Sequence, residues 1–247
     1  MASEKTRAIT LRLTDYSETS QILSVYSRDF GRLSLIAKGT KRRRRGAQQT
    51  IDLFQLVELV FIEKSGPALH ILTEWNLLED FAGLRRDIAR GYGAFFVAEL
   101  LGALTEEGDP NPALFELTLR TLKMLSETGR PNVVLHAFEM RLLRLIGLLP
   151  RLDRCAWCGG ELGTTDEVAF AAGTGGAVCT KCSSVVPERI TVSRGALAVL
   201  NKLAVTPLNK VERLRISGTI ARDVRKALAR VWMHIMGREP RMLKYLQ

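Results

Sequence analysis

Four cysteines constrain this chain most. Cys155, Cys158, Cys179 and Cys182 are all the cysteines it has, arranged as two Cys-x-x-Cys pairs separated by residues 159–178. A Cys-x-x-Cys knuckle turns two thiolates toward one point, and two knuckles complete the tetrahedral four-sulfur shell that Zn2+ accepts. The separation falls at the upper end of the zinc-ribbon range. Gly159 and Gly160 let the backbone turn away from the metal, and Trp157 is expected to pack over one knuckle. Other uses of paired cysteines fit less well. A redox Cys-x-x-Cys sits singly at a helix start in a βαβ setting, which is missing here. Two disulfides need an oxidising compartment, and the N-terminus, with Glu4, Lys5 and Arg7 and no apolar stretch, does not read as a secretory signal. Four protein ligands leave no open coordination position. The expectation is therefore one structural Zn2+ per chain, without a catalytic role.

Hydrophobic periodicity divides the 247 residues. Up to about residue 80 the pattern is that of strands. Ile9, Leu11 and Leu13 alternate with Ala8, Thr10 and Arg12. Ile22–Ser27 and Arg32–Ala37 flank a tight turn at Asp29, Phe30 and Gly31. Ile51–Glu63 is β-rich, Ser65, Gly66 and Pro67 break it, and Leu69–Trp75 follows. Five short strands in this length predict a small antiparallel barrel, either of the oligonucleotide/oligosaccharide-binding (OB) type or SH3-like. From about residue 81 the period becomes helical. One helix carries Leu84, Ile88, Tyr92, Phe95 and Phe96. A second starts at an Asn111 cap with Pro112 in first position. A third runs from about Asn132 to Ile146. Residues 150–187 are glycine-rich and hold the cysteines. Ser193 then caps a short helix and Ser217 a longer one through about Met236. The predicted class is α+β: an OB-type barrel (1–80), a helical bundle (81–150), an inserted four-cysteine zinc module (151–187), and a basic helical segment packing on the bundle (188–247).

Charge is spread unevenly. The net is +10, with 36 Lys+Arg against 26 Asp+Glu. Residues 1–50 hold 11 basic and 4 acidic side chains, residues 51–150 hold 9 and 14, and residues 187–247 hold 13 and 4. Basic ends around an acidic middle point to a polyanion as partner, with the middle free to meet a protein. Six of the eight residues from Lys38 to Arg45 are basic. No core accommodates Lys38, Lys41, Arg42, Arg43, Arg44 and Arg45 without counter-charges, so they are expected on an exposed barrel loop that tracks phosphates. A merely solvated loop or an import signal is the competing reading. Arg28 and Arg32, beside the first turn, join them as candidate DNA contacts. Arg222, Arg225, Lys226 and Arg230 cluster on the last helix and form a second candidate patch, against the simpler reading of a solvated face. Few aromatics are placed for base stacking (Tyr16, Tyr26, Phe30 and Phe54, the last expected in the core), so backbone contacts with little sequence preference are expected.

Catalytic signatures are missing. There is no GxxxxGK[ST], HExxH or GxSxG. The GxG at Gly173–Gly175 lacks a strand–helix setting, and His70, His136 and His234 are scattered. The chain is expected not to be an enzyme. No apolar run approaches the ~18 residues of a membrane span, which predicts a cytoplasmic protein without a membrane partner.

The order of parts resembles the RecO family of bacterial DNA-repair recombination mediators. The residues that carry the likeness are Tyr16-Ser17-Glu18, Ser24, Ser27, Gly31 and Ala37-Lys38-Gly39 with basic residues after it. Further on come Phe138-Glu139, Arg141-Leu142-Leu143, Gly147 and Pro150, and then the four cysteines. The resemblance implies an OB-type barrel, a helical bundle and a zinc module in which the four cysteines are the ligands. It implies binding to single- and double-stranded DNA, annealing of complementary strands without ATP, and action in the RecF pathway. It also implies partners: RecR, the single-strand-binding protein SSB and, indirectly, RecA, in a nucleoid-associated cytoplasmic setting. The four-arginine run is longer than the family's usual basic stretch. A zinc-ribbon nucleic-acid-binding protein of transcription or RNA metabolism is the alternative. A metal-dependent nuclease and a protein scaffold rank behind it.

Overall fold

The computed structural model describes residues 3–38, 51–64 and 69–246. The chain divides into two compact units, Met1–Glu127 and Thr128–Gln247.

The first unit is built on β1 (Ser3–Asp15), β2 (Gln21–Ser27), β3 (Gly31–Ala37), β4 (Gln55–Ile62) and β5 (His70–Asp80). They close in the order β1-β2-β3-β5-β4. Neighbours are antiparallel except β3 and β5, which run parallel with Leu35 beside His70 and Ala37 beside Leu72. This is an OB-like barrel. Strict alternation fills it: in β3, Gly31, Leu33, Leu35 and Ala37 are buried and the residues between them are not. Leu23, Val25, Leu59 and Phe61 meet them in the core. β1 serves two partners, β4 along its first half and β2 along its second, with a register shift between Thr10 and Arg12. Such a bulge adds the twist that closure requires.

The middle of β1 departs from the half-buried pattern. Ala8, Ile9 and Thr10 are all fully buried. One face fills the barrel, and the other is covered by a helix: Tyr26, the partner of Ile9, packs against Phe115 with ring centroids 6.5 Å apart. The Thr10 hydroxyl is satisfied, donating to the Asp52 carbonyl at 2.6 Å and accepting from Gln55 N–H at 2.9 Å. Those bonds hold residues 51–54 in a turn, with Phe54 buried at φ 57°, so β4 begins at Gln55 rather than at Ile51. The turn before β3 lies where the sequence puts it. Gly31 has φ 63°, and a Cβ there would sit 2.1 Å from the Asp109 carbonyl oxygen, so glycine alone fits.

Three helices complete this unit: α1 (Gly83–Arg86), α2 (Ile88–Leu104) and α3 (Pro112–Glu127). The single helix expected from about residue 81 breaks at Asp87. That residue is extended, and its carboxylate accepts from Arg90 N–H at 2.9 Å, which starts α2 afresh. α3 begins as expected, with Asn111 Oδ1 accepting from Leu114 N–H at 3.0 Å.

The second unit contains α4 (Pro131–Leu145), β6 (Glu167–Ala171), β7 (Gly176–Val178), α5 (Thr180–Ser183), β8 (Ile190–Ser193), α6 (Arg194–Val205) and α7 (Gly218–Met236). The strands form an antiparallel sheet in the order β7-β6-β8. α4, α6 and α7 pack on one another through buried Phe138, Leu142, Leu200, Val224 and Leu228. Ser193 and Ser217 stand at the starts of α6 and α7, but neither side chain bonds a first-turn N–H. Residues 81–150, read from the sequence as one bundle, supply α1–α3 to the first unit and α4 to the second. Among the described residues no helix is long and apolar enough to cross a membrane.

Candidate functional site

The four cysteines converge. Their sulfur atoms lie within 4.8 Å of one another, and those of Cys158 and Cys179 are 3.9 Å apart. Four sulfurs at ~2.3 Å from one tetrahedral ion are ~3.8 Å apart, so the cluster has the size to hold a metal ion. Backbone bonds shape each knuckle. Cys155 N–H donates to the Gly160 carbonyl at 2.8 Å, and Gly159 N–H to the Cys155 carbonyl at 2.9 Å. The second pair sits where β7 ends and α5 begins, with Ser183 N–H on the Cys179 carbonyl at 2.9 Å. Ala156 N–H on the Ala177 carbonyl, at 2.7 Å, ties the first knuckle to β7. Cys155 and Cys179 are buried, Cys182 is half-buried and Cys158 is exposed.

The electrostatics of the cluster suit a cation. Burial acts to raise the Cys155 thiol, but the backbone N–H groups of Cys179, Cys158 and Trp157 outweigh it and bring it down to about 6. Burial and the neighbouring sulfurs of Cys158, Cys179 and Cys155 push Cys182 up to about 12. Four sulfurs this close do not share four negative charges unless a cation sits among them. Trp157 does not cover the knuckle as expected. It is 61% exposed.

The basic run Lys41–Arg45 lies outside the described residues. Lys38, at its start, is exposed just past the end of β3. The two arginines beside the first turn, candidate DNA contacts, also make contacts within the unit. Arg28 Nη1 pairs with Asp29 at 3.2 Å and its Nε lies 3.9 Å from Glu116. Arg32 Nη1 donates to the Gly102 carbonyl at 2.7 Å, anchoring the end of α2 on the barrel. On α7, Arg222, Lys226 and Arg230 are exposed and Arg225 is half-buried. Asp223 stands among them and accepts from Ser193 N–H at 2.9 Å. Burial acts to raise its carboxyl, but the bonds from Ser193 and the charges of Lys226 and Arg222 hold it below the usual carboxylate range.

The histidines serve packing where their contacts are described. His70 Nδ1 accepts from Lys64 N–H at 3.1 Å, and His136 Nδ1 lies 2.8 Å from Glu139. Sequence reading missed Glu139 and Arg141 as structural pins. Arg141 Nη1 donates to the carbonyls of Ala137 at 2.9 Å and Leu203 at 2.8 Å, and Nη2 to that of Thr206. Burial and the nearby Arg144 pull its guanidinium below the ordinary value.

The whole chain matches two family models. The one described as Recombination protein O N terminal covers residues 1–81, the length of the barrel. The one described as Recombination protein O C terminal covers residues 85–240. The chain belongs to the RecO family. The DNA repair protein RecO of Rhodopirellula baltica is 32% identical over 97% of both chains. That of Anaeromyxobacter dehalogenans is 33% identical over all of this chain and 96% of its own. That of Pelotomaculum thermopropionicum is 33% identical over 98% and 93%. Membership of the RecO family gives the chain a role in DNA repair and recombination.

Proposed function

We propose that this RecO-family chain is a DNA-binding recombination mediator. It binds single- and double-stranded DNA, anneals complementary strands without ATP, and with RecR helps load RecA on strands coated by SSB. The observation that carries the reading is a closed OB-like barrel whose third strand runs out at exposed Lys38 into the sequence Lys41–Arg45. Dense positive charge neutralises phosphates whatever the base sequence. Neutralising two strands at once removes the repulsion that slows their pairing, and pairing then releases free energy with no nucleotide hydrolysed. No catalytic group is required.

The four cysteines fit one Zn2+ in a structural role, since soft thiolates in a four-sulfur set select it and leave no position for substrate. Bound there, the ion supplies a crosslink between the knuckle at Cys155 and Cys158 and the one at Cys179 and Cys182. Around it, the N–H groups of Cys179, Cys158 and Trp157 favour the Cys155 thiolate.

The test is annealing of complementary single strands already coated with the cognate SSB, in the absence of ATP. Faster pairing than the coated strands show alone is the expected result. No acceleration, with binding to naked DNA intact, would move the assignment to a zinc-ribbon nucleic-acid binder and to RNA partners.

A further inference from the structure

Arg222, Arg225 and Lys226 do not stand on an open helix face. α7 ends at Gly237, where φ is 68°, and the chain reverses. Pro240 then leads into a single turn, Arg241–Tyr245, which adds two more cations beside the three. Between helix and turn lies an open groove of about 730 Å3 lined by Arg222, Arg225, Lys226, Arg241 and Lys244. Among the described residues Glu239 is the one carboxylate in the lining, and Ala229, Pro240 and Leu243 are its apolar members. Arg230, which the sequence grouped with the others, is not part of it. Arg241 and Lys244, which the sequence did not single out, take its place.

These cations outnumber the carboxylates beside them. Among the described residues no carboxylate lies within salt-bridge distance of Arg222, Arg225, Lys226 or Lys244. Asp223, the acid closest to them in sequence, accepts from Ser193 N–H and offsets part of the charge of Lys226 and Arg222. Five positive groups around one concavity repel each other and raise the local concentration of anions. Their arrangement suits a chain of anions more than one ion. Arg222 and Lys226 are about one helical turn apart, ~6 Å along the axis, and the turn Arg241–Tyr245 supplies a second row. At the end of that row Tyr245 is 46% exposed, with Lys244 Nζ 4.8 Å from its ring centroid. An exposed aromatic ring beside the groove suits an unstacked base, which a paired duplex does not offer.

We infer that this groove is a binding site for a single strand of nucleic acid, its phosphates held by Arg222, Arg225, Lys226, Arg241 and Lys244. None of its residues belongs to the basic sequence Lys38–Arg45. The inference rests on the DNA-binding reading above and names one place where a strand lies.

The test compares the full-length chain with two variants. One is the triple substitution Arg225→Gln, Lys226→Gln and Lys244→Gln in the groove. The other neutralises Arg42–Arg45 in the sequence after β3. A labelled oligo-dT is titrated at several salt concentrations. Each neutralised phosphate contributes about 0.7 to the slope of log affinity against log salt for single strands. The groove variant is expected to lose about two units of slope with unchanged thermal melting. The charge-preserving Arg225→Lys is expected to keep the slope, and Tyr245→Leu to weaken binding about ten-fold at constant slope, as removal of a stacking ring does. If the groove variant keeps the wild-type slope while the Arg42–Arg45 variant loses its own, the inference is overturned and the DNA-binding reading stands. If the wild-type chain binds no oligonucleotide, that reading falls as well. If the groove variant binds oligo-dT normally but loses affinity for polyglutamate, the groove belongs to an acidic polypeptide, which also overturns the inference.

Discussion

Trp232 on α7 donates its indole N–H to Glu139 on α4 at 2.6 Å, and both side chains are buried. The other carboxylate oxygen of Glu139 lies 2.8 Å from His136 Nδ1. Two residues further along α4, Arg141 grips the last carbonyls of α6. The Phe-Glu-x-Arg-Leu-Leu segment therefore works as a packing device. Its polar members fasten α4 to α7 and α6, while Phe138, Leu142 and Leu143 fill the space between.

This arrangement makes Trp232→Phe costly although the change keeps an aromatic ring. A buried carboxylate that loses a donor is left short of a hydrogen bond to a charged group, worth about 1.5–3 kcal/mol. Glu139→Ala removes the acceptor from two partners at once and is expected to cost at least as much. Urea unfolding followed by circular dichroism measures both. A loss below ~0.5 kcal/mol in each would show that the bond contributes little.

The barrel unit is expected to weaken in alkali through Tyr26. Its ring is fully buried, and its hydroxyl finds no hydrogen-bond partner among the described residues. Burial, and then the Asp109 carboxylate, push it up to about 12. A raised folded-state value favours the protonated form, so its contribution is whole below pH 10 and is lost as pH rises through 12. The expected loss across that window is about 2–3 kcal/mol. Tyr26→Phe removes the step, and because the buried hydroxyl is unpaired the substitution is expected to be neutral or stabilising at pH 7. Denaturant midpoints at pH 8 and above pH 11 for the two proteins decide the matter.

Zinc in the four-cysteine cluster, as proposed, predicts a divided response. Purified chain is expected to carry about one Zn2+, and stripping it with a chelator is expected to loosen residues 151–187, since binding and folding of such knuckles are coupled. Cys158→Ser takes away an exposed ligand with little change in volume, so its effect reports the metal rather than the core. It is expected to lower zinc content and melting temperature and leave oligonucleotide affinity per folded molecule intact. Reduced affinity in a protein that remains folded would give the centre a direct part in DNA binding.

The sequence showed this architecture unevenly, for identifiable reasons. The cysteine cluster was legible because two knuckles at a fixed spacing have few other uses. The barrel was legible because alternation in β3 survives intact, as Leu33 and Leu35 show. It failed at Ala8 and Thr10, where a helix covers the outer face and both sides of one strand are buried. It failed again in the cysteine module, where β7 has only 3 residues, too few for any period to register. Gly176 sits there at φ 144°, and a Cβ would come within 2.1 Å of the Arg151 carbonyl oxygen. A glycine-rich string gives no hint of such a close approach. The groove beside α7 depended on a chain reversal at Gly237, so Arg241 and Lys244 could not be joined to Arg222 from their distance in sequence.

The basic run after β3 allows the sharpest test of where the barrel meets DNA. Lys38 is exposed at the end of a strand whose inner face is anchored by Leu33, Leu35 and Ala37. Arg28 and Arg32 are already held by Asp29, Glu116 and Gly102. Removing their charge is expected to alter stability more than affinity. Neutralising Arg42, Arg43, Arg44 and Arg45 together is expected to flatten the salt dependence of single-strand binding by up to ~2.8 units, at about 0.7 for each phosphate that the run neutralises. Affinity should fall by a similar factor on unrelated sequences, the outcome expected of contacts to phosphates rather than bases. Titrations of oligo-dT and of a mixed-sequence strand from low to moderate salt provide the measurement. An unchanged slope would remove the run from the interface, and a fall in affinity confined to one sequence would mean that the run reads bases.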